Sequence, residues 1–343
     1  MPLISRKKQI YPISPPLRTY LRKFDKEIAL EVSYDDLLRY TSSISLYDSR
    51  GEDTLWETLF YTPTEMSEIY AALKKIYALL KAEGELSVIE HLYVDRVDLC
   101  TYGNTKPIRV RIVNKINDNF DYFYVKRADA SRIYGLELED LISPDRVQHF
   151  VSGETLIEEH IAGVPGEQFI AGYMDKRLNK TRLAKEFVKF NERCFVRLLG
   201  DMHANNYVID ITPDFEETHY RIRAIDFDQQ CYEGAKKVYM PKYFKENNPI
   251  IRLGLEIMTP ETTRQYQVEE RSRIAHRLRA AYTIIDELIE TMRQDNIAPP
   301  EYVQQLREEL ADFYQHTGFR NARTMGDVLR ESLKLVFEAK YVR

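Results

Sequence analysis

The feature that most constrains this chain is a polar loop between an apolar helix and an apolar strand, within residues 198–209. Residues 183–199 carry apolar side chains at helical spacing, which predicts a helix that leads directly into Gly200 and Asp201. Residues 207–209 are apolar and predict a short strand after the loop. The polar loop is therefore expected to lie between two apolar elements.

A second segment, residues 224–228, predicts a strand that ends on the carboxylate of Asp226. Together the two segments place the carboxylates of Asp201 and Asp226 and the carboxamide of Asn206 where strands end and loops begin. Mg²⁺ takes oxygen ligands of this kind and usually shares them with substrate phosphates. The sequence therefore predicts a magnesium–phosphate site.

Composition narrows the class of protein. The 343 residues are 44% hydrophobic and 30% charged, which is ordinary for a soluble globular chain. The net charge of −5 and the pI of about 5.9 do not favour the binding of nucleic acid. No run approaches the roughly 20 apolar residues of a membrane span, and the three cysteines form no CxxC pair. We therefore expect a cytoplasmic protein with no nucleic-acid partner and no membrane span.

The patterns divide the chain into three parts. Residues 1–86 predict a mostly helical extension, in which a strong amphipathic helix starts at Pro63 and stops at Gly84. This extension would suit the docking of a protein partner. Residues 87–161 predict three strands, a helix and two further strands, whereas residues 162–343 are predicted to be mostly helical and to carry the two polar loops.

The spacing within the loop resembles that of a known family. Asp201, His203 and Asn206 follow the pattern Asp-x-His-x-x-Asn, and Asp226 follows downstream after an isoleucine. This arrangement resembles the protein-kinase-like superfamily, and more closely its aminoglycoside and choline kinase branch. The resemblance covers residues 87–292. It implies an α+β, bilobal fold with a β-rich N-lobe and a helical C-lobe.

Two positions depart from the family pattern. Leu199 stands where the branch has the first histidine of its loop, and Asp228 stands where protein kinases have glycine. Acidic residues occur at the second position in small-molecule kinases, so Asp228 favours that branch over a regulated protein kinase.

The resemblance implies a role for each residue of the loops. Asp201 would orient or deprotonate an acceptor hydroxyl, and Asn206 and Asp226 would hold Mg²⁺ against the phosphates of ATP. Phosphoryl transfer needs alignment and charge neutralisation more than covalent chemistry. His203, the other residue of the catalytic loop, is expected to brace it through hydrogen bonds, since a ring nitrogen can order backbone without titrating.

Lys126 ends an aromatic, β-rich strand of the second part of the chain. It resembles the kinase lysine that contacts ATP phosphates and pairs with a glutamate on the following helix. Glu137 and Glu139 are the candidates for that glutamate, with Glu137 selected for its apolar neighbours. An exposed lysine on an edge strand, next to Arg127, is the alternative interpretation.

Three further residues are predicted to bind the nucleotide by position. Gly103 lies in the turn that would cover the phosphates, where amides and hydroxyls can replace a glycine-rich loop. Glu159 and Ile161 fall at the expected hinge, where backbone groups would recognise the adenine. A plain hairpin turn and a strand-to-helix connector would give the same patterns.

Several functions remain open from the sequence. The first is a kinase that uses ATP and Mg²⁺ to phosphorylate a hydroxyl of a small molecule or a protein. The second is a pseudokinase, a regulatory binding module, which Leu199 and the glycine-poor turn favour. The third is AMP transfer, because a fold does not fix a function. A capped helix end with solvated carboxylates would also produce the short motif without any chemistry.

Overall fold

The computed structural model describes residues 8–81, 86–102, 105–174, 178–214 and 218–338. The chain divides into two compact units. The first, called the sheet unit, consists of Leu21–Asp129 and Val147–His160. The second, called the helical unit, consists of the described residues up to Tyr20, Ala130–Arg146 and those from Ile161 onward. Helices and antiparallel sheets both contribute, so the prediction of an α+β chain is confirmed.

The sheet unit is built on one large antiparallel sheet. Its strands are β1 (Ser42–Tyr47), β2 (Asp53–Phe60), β3 (Leu92–Cys100), β4 (Ile108–Asn114), β5 (Phe120–Arg127), β6 (His149–Ser152) and β7 (Thr155–Glu159). The strand order is β1-β2-β3-β4-β5-β7-β6. The helices that contribute to this unit are α1 (Pro15–Lys23), whose first part belongs to the helical unit, α2 (Tyr34–Leu37) and α3 (Pro63–Lys81).

The core of the sheet unit follows from alternation along its strands. Ile108, Val110 and Ile112 of β4 are buried because successive side chains of a strand point to opposite faces. They belong to the same apolar cluster as Leu73 and Ile76 of α3. Helix α3 begins at Pro63 as predicted, since proline is tolerated at a helix start.

The hairpin β1–β2 corrects the expectation of a mostly helical N-terminal extension over residues 1–86. The two strands pair with each other, and β2 pairs with β3 through Trp56, Glu57 and Thr58. Strand β1 lies at the edge of the sheet and its side chains are mostly exposed. An edge strand of this kind carries little apolar alternation, so the sequence pattern did not reveal it.

The helical unit contains the remaining elements. Its helices are α4 (Ala130–Ile142), α5 (Gly166–Tyr173), α6 (Lys180–Arg197), α7 (Asn248–Ile257), α8 (Pro260–Ala280), α9 (Tyr282–Arg293), α10 (Pro300–Tyr314) and α11 (Met325–Lys334). A small antiparallel sheet has the order β10-β9-β8 and consists of β8 (Val164–Pro165), β9 (Tyr207–Pro213) and β10 (Thr218–Ala224). Its short 3-10 helices are Lys236–Tyr239, Pro241–Tyr243, Lys245–Asn247, Thr317–Asn321 and Leu335–Phe337, whereas the 3-10 helix Leu86–His91 lies in the sheet unit.

Helix α6 leads to the candidate loop and is fixed on several sides. The Asn179 side chain caps its start by accepting from the Arg182 N–H. Within it, Arg193 donates to Glu186 and to Glu270 of α8, both at 2.9 Å. These buried ion pairs hold the end of α6, and therefore the loop that follows, against α8.

The C-terminal helices differ from the prediction in one respect. The apolar spacing of residues 269–292 predicts a single helix, whereas the structure ends α8 at Ala280 and starts α9 at Tyr282. Ala281 leaves helical geometry, with φ −109° and ψ 24°. Neither glycine nor proline marks this break, so periodicity alone did not show it. In the part of the chain that the structure describes, no helix combines the length and apolar character needed to cross a bilayer.

Candidate active site

The candidate loop begins where α6 ends in a left-handed residue. Leu198 adopts φ 58° and ψ 45°. The buried Gln230 side chain donates from Nε2 to the carbonyl oxygens of Arg197 (2.5 Å) and Leu198 (3.2 Å). These bonds satisfy carbonyls that have no partner within the helix. The chain therefore turns sharply into Gly200 without leaving the carbonyl oxygens of Arg197 and Leu198 unpaired.

The backbone of Gly200 and Asp201 is anchored to the segment that follows Asp226. The Gly200 N–H donates to the Gln229 carbonyl, and the Asp201 N–H donates to the Val238 carbonyl, both at 3.1 Å. Asp201 adopts φ 62°. This left-handed conformation costs a residue with a side chain about 1–2 kcal/mol, so the two anchors maintain local strain at the central carboxylate.

Asn206 and Asp201 are joined in a tight turn. Asn206 Nδ2 donates to the Asp201 carbonyl at 2.8 Å and lies 3.5 Å from Asp201 Oδ2. The His203 N–H donates to the Asp201 carbonyl and the Asn206 N–H donates to the His203 carbonyl, both at 2.9 Å. None of these hydrogen bonds involves the amide oxygen of the Asn206 side chain, and Mg²⁺ accepts oxygen ligands of this kind.

The His203 ring is held by its own loop. Its Nδ1 accepts from the Asn205 N–H at 3.3 Å, and its centroid lies 6.2 Å from that of the Phe244 ring. Burial lowers the pKa of His203, although the carboxylates of Glu246 and Asp226 act in the opposite direction. A ring that is neutral at pH 7 and accepts from backbone fits the expected bracing role.

Asp226 follows β10 and reaches the loop through backbone pairing. The Ile225 N–H donates to the Asn206 carbonyl at 3.0 Å, and the Asp228 N–H donates to Asp226 Oδ1 at 3.0 Å. Arg132 of α4 contacts both carboxylates, because its Nη1 donates to Asp226 Oδ1 (2.8 Å) and to Asp228 Oδ1 (2.9 Å). The structure therefore adds a buried guanidinium to the two predicted loops.

Asp201 is surrounded by negative charge. Burial is the largest cause that raises the pKa of Asp201 from 3.8 to about 7, and Asp226, Glu233, Glu246 and Asp228 add to it. Burial also raises the pKa of Glu233. A divalent cation would relieve this repulsion, because an opposite charge favours the ionised form of a carboxyl.

The side chain of Asn247 supports the loop through hydrogen bonds. It is fully buried, and its Nδ2 donates to the carbonyls of Met202 (2.9 Å) and Pro241 (2.8 Å). Its Oδ1 accepts from the Tyr207 hydroxyl at 2.9 Å. Each polar atom of the Asn247 side chain is thereby used to fix the loop and the first residue of β9.

Gly166, at the start of α5, lies directly against the loop. The neighbouring Glu167 N–H donates to the Ala204 carbonyl at 3.0 Å. A Cβ added at Gly166 would lie 2.4 Å from Tyr207 Cε2 and 2.5 Å from the Ala204 oxygen. Only a residue without a side chain allows this approach of α5 to the loop.

In the sheet unit, Lys126 is paired with Glu158. Lys126 Nζ donates to Glu158 Oε2 at 2.8 Å, and the side chains are 10% and 5% exposed. The register of β5 and β7 places Leu156 opposite Lys126 and Glu158 opposite Tyr124, so the pair runs diagonally between the strands. No local sequence pattern marks Glu158, because its relation to Lys126 depends on this register.

The two helix glutamates have partners within the helical unit. The Tyr20 hydroxyl donates to Glu137 Oε2 at 3.0 Å, and the Arg197 guanidinium donates to Glu139. Both glutamates are buried. They attach α4 to the first part of α1 and to α6, while their assignment as partners of a nucleotide-binding lysine stays a prediction.

The other predicted nucleotide-binding residues are distributed over the chain. Glu159 Oε2 lies 2.9 Å from Lys81 Nζ, and the Glu159 N–H donates to the Gln148 carbonyl at 2.9 Å. Both contacts lie within the sheet unit. Ile161 belongs to the helical unit and is 6% exposed. Gly103 lies outside the described residues.

Arg132, Gln230 and Asn247 are site residues that the sequence analysis did not select. Arg132 contacts a carboxylate 94 residues away, and Gln230 contacts a carbonyl 33 residues away. No spacing rule connects residues so far apart along the chain. Each of the three also has polar neighbours in the sequence, so no local signal marks it.

Comparisons with known proteins assign no family. No family model matches the chain, and no curated protein matches it. Among solved structures, the chain is similar to the autoinhibited serine kinase domain of the giant muscle protein titin. The identity is 13% and the TM-score 0.29, over 72% of this chain and 93% of that one.

Two further solved structures give similar values. Titin kinase with its flanking domains has 14% identity and a TM-score of 0.27, over 73% of this chain and 48% of that one. The PknI kinase domain of Mycobacterium tuberculosis has 13% identity and a TM-score of 0.26, over 73% of this chain and 96% of that one. A likeness at these TM-scores assigns neither fold nor function, so the function is inferred from the geometry of the chain's own residues.

Proposed function

We propose that this protein is a kinase-like phosphotransferase of bilobal fold. It would use ATP and Mg²⁺ to transfer the γ-phosphate to a hydroxyl of a small molecule or a protein. The observation that carries the proposal is the half-buried carboxylate of Asp201, which lies next to Asn206 and has a pKa raised to about 7 by burial and by Asp226 and other carboxylates. Solvated turn carboxylates would keep an ordinary pKa.

Asp201 is suited to accept the proton of an acceptor hydroxyl. A general base works best when its pKa lies near the operating pH, and in the metal-free chain the pKa of Asp201 is about 7. The hydrogen bonds of Gly200 and Asp201 to the segment after Asp226 keep the carboxylate in a fixed position. His203 braces the same turn and accepts a backbone N–H on its ring.

The donor set fits Mg²⁺. Asp226 supplies a carboxylate and Asn206 an amide oxygen, and Mg²⁺ is usually held by one or two carboxylates together with substrate phosphates. Within the described ranges, no three His, Cys, Asp or Glu side chains form a group that could hold a metal alone. A site shared with phosphates needs no such group. When bound, Mg²⁺ would neutralise charge on the transferring phosphoryl group.

The proposed ATP-binding residues are those that the resemblance assigns by their position in the sequence. Lys126 keeps the role of the lysine that contacts the phosphates, and it pairs with Glu158 within the sheet unit. Glu137 and Glu139 stay its predicted partners on the helix. Gly103, Glu159 and Ile161 keep the nucleotide-binding roles that the resemblance implies. Each of these assignments can be tested by substitution without reference to the acceptor.

The acidic residue at position 228 supports the small-molecule branch of the superfamily, to which aminoglycoside and choline kinases belong. In this chain its carboxylate accepts from Arg132 and is therefore engaged in the site. The contact of Arg132 with Asp226 favours a second candidate function, a regulatory binding module, because such a module would tolerate a guanidinium on this carboxylate. Leu199 in place of the family histidine also favours a regulatory binding module.

Labelled nucleotide separates these functions. The chain is incubated with Mg²⁺ and ATP labelled on the γ-phosphate or, separately, on the α-phosphate, with pools of small-molecule and protein acceptors. We expect γ-label on an acceptor or as released phosphate. Asp201→Asn should remove that transfer, whereas the matched variant Asp210→Asn on β9 should retain it. Label from the α-phosphate on a product would show AMP transfer, and binding without turnover would show a regulatory module.

A further inference from the structure

Arg132 is built into the site as a buried cation. Its Nη1 donates to Oδ1 of Asp226 at 2.8 Å and to Oδ1 of Asp228 at 2.9 Å, while Nη2 lies 3.3 Å from the Ile225 carbonyl. The side chain is 3% exposed, whereas those of Asp226 and Asp228 are 35% and 21% exposed. One guanidinium nitrogen therefore bridges two carboxylates that stand two residues apart.

Helix α4 holds Arg132 in this position. The hydroxyl of the preceding Ser131 donates to the Gln230 carbonyl at 2.6 Å and lies 3.2 Å from the Asp228 carbonyl. One turn later, Gly135 faces Phe227 so closely that an added Cβ would lie 2.9 Å from Phe227 Cβ. The start of α4 thus packs on residues 227–230, and Arg132 is not a mobile surface side chain.

We propose that Arg132 is an internal counter-cation that competes with a divalent cation for Asp226, and that Asp228 receives Arg132 when the metal binds. This inference rests on the proposed function, because it takes Asp226 as a metal ligand. A guanidinium bound to a carboxylate oxygen opposes a metal ion on the same carboxylate by charge repulsion and by occupying its lone pairs. A second carboxylate within reach of the guanidinium lowers the cost of that exchange.

The proposal assigns a role to the acidic residue at position 228, which the predicted kinase chemistry does not use. If Asp228 only received Arg132, its effect on metal affinity would depend on Arg132 being present. If Asp228 were itself a metal ligand, its effect would persist without Arg132. Single and double variants at these two positions therefore distinguish the two roles.

The experiment measures the binding of Mn²⁺, as a probe for Mg²⁺, to the 343-residue chain by electron paramagnetic resonance of the free ion, with and without ADP. Without nucleotide, we expect Arg132→Gln to bind Mn²⁺ about tenfold more tightly than wild type, and Asp228→Asn to bind it about tenfold more weakly. In the Arg132→Gln background, Asp228→Asn should change the affinity little. Arg132→Lys keeps the charge and should stay near wild type.

Several outcomes would overturn the proposal. Unchanged or weaker Mn²⁺ binding in Arg132→Gln would mean that Arg132 positions Asp226 for the metal instead of competing with it. A full effect of Asp228→Asn in the double variant would make Asp228 a ligand. Should Arg132→Gln fail to fold without metal, thermal unfolding decides, because the proposal expects Mn²⁺ to raise its Tm more than that of wild type. Mn²⁺–ADP binding that is unaffected by Asp226→Asn would instead contradict the proposed function.

Discussion

Lys126 and Glu158 form a buried ion pair across strands β5 and β7, with 2.8 Å between Nζ and Oε2. Loss of one member of such a pair leaves the other charge in a poorly solvated place, which costs about 3–5 kcal/mol. We expect Lys126→Met to lower the free energy of unfolding by about that amount. The double variant Lys126→Met with Glu158→Leu should lose clearly less stability. Urea unfolding measures both. Equal losses in the single and the double variant would contradict a coupled pair.

The raised pKa of Asp201 makes stability depend on pH. Its folded pKa of about 7 exceeds the ordinary value of 3.8, so the folded chain binds this proton more tightly than the unfolded chain does. The contribution of Asp201 to stability therefore falls as the pH rises from about 4 to about 7. Asp201→Asn removes this effect, and we expect its Tm advantage over wild type to grow from pH 4 to pH 8 without divalent cations.

The control for that measurement is Asp210→Asn, on β9, which replaces a carboxylate outside the loop by an amide in the same way. A difference for Asp201→Asn that stays constant or shrinks as the pH rises would show that the Asp201 carboxyl titrates near its ordinary pKa. Addition of Mg²⁺ should stabilise wild type more than Asp201→Asn at pH 8, because the metal offsets the same repulsion.

Asn247 tests how the loop is supported. Asn247→Leu keeps the number and branching of the side-chain heavy atoms but leaves the buried carbonyls of Met202 and Pro241 without their donor, at about 1–3 kcal/mol each. Tyr207→Phe removes only the hydroxyl that donates to Asn247, at about 1 kcal/mol. We expect the first variant to be destabilised two- to threefold more than the second in guanidinium unfolding (about 3 against about 1 kcal/mol). Equal effects would mean that the Asn247 amide group does not fix the loop.

Gly166 tests the close approach of α5 to the loop. Gly166→Ala places a methyl group within 2.5 Å of the Ala204 carbonyl oxygen, so either the helix or the loop must move. We expect a loss of about 1–3 kcal/mol in stability and weaker Mg²⁺–ADP binding. Gly172→Ala in the same helix is the control, since its Cβ would meet nothing within 4 Å, and it should stabilise the chain slightly. Wild-type stability in Gly166→Ala would contradict the packing described.

Local patterns predicted much of the fold. The apolar spacing of α3 and α6 predicted helices whose bounds differ from the observed ones by a few residues. Helix periodicity and alternation are properties of neighbouring residues, so a single sequence contains them. Strand β1 was not predicted because it is an exposed edge strand. The break at Ala281 was not predicted because no helix-breaking residue marks it.

The candidate site was predictable only in its loop residues. Asp201 and Asn206 are five residues apart and are joined within one turn, which the motif contains. The partners Arg132 and Glu158 were not predictable, because one depends on how α4 packs on residues 227–230 and the other on the register of β5 and β7. The pKa of Asp201 likewise depends on burial and on carboxylates brought together by folding.

Calorimetric titration of wild type, Asp201→Asn and Asp226→Asn with ADP, with and without Mg²⁺, decides whether Asp226 holds the metal. If Asp226 holds the metal and Asp201 acts on the acceptor, Asp201→Asn binds Mg²⁺–ADP within about threefold of wild type, which is under 1 kcal/mol. Asp226→Asn should lose about 100-fold in affinity, and only when Mg²⁺ is present. Mg²⁺–ADP binding by Asp226→Asn that equals wild type, or no nucleotide binding by wild type, would contradict the account.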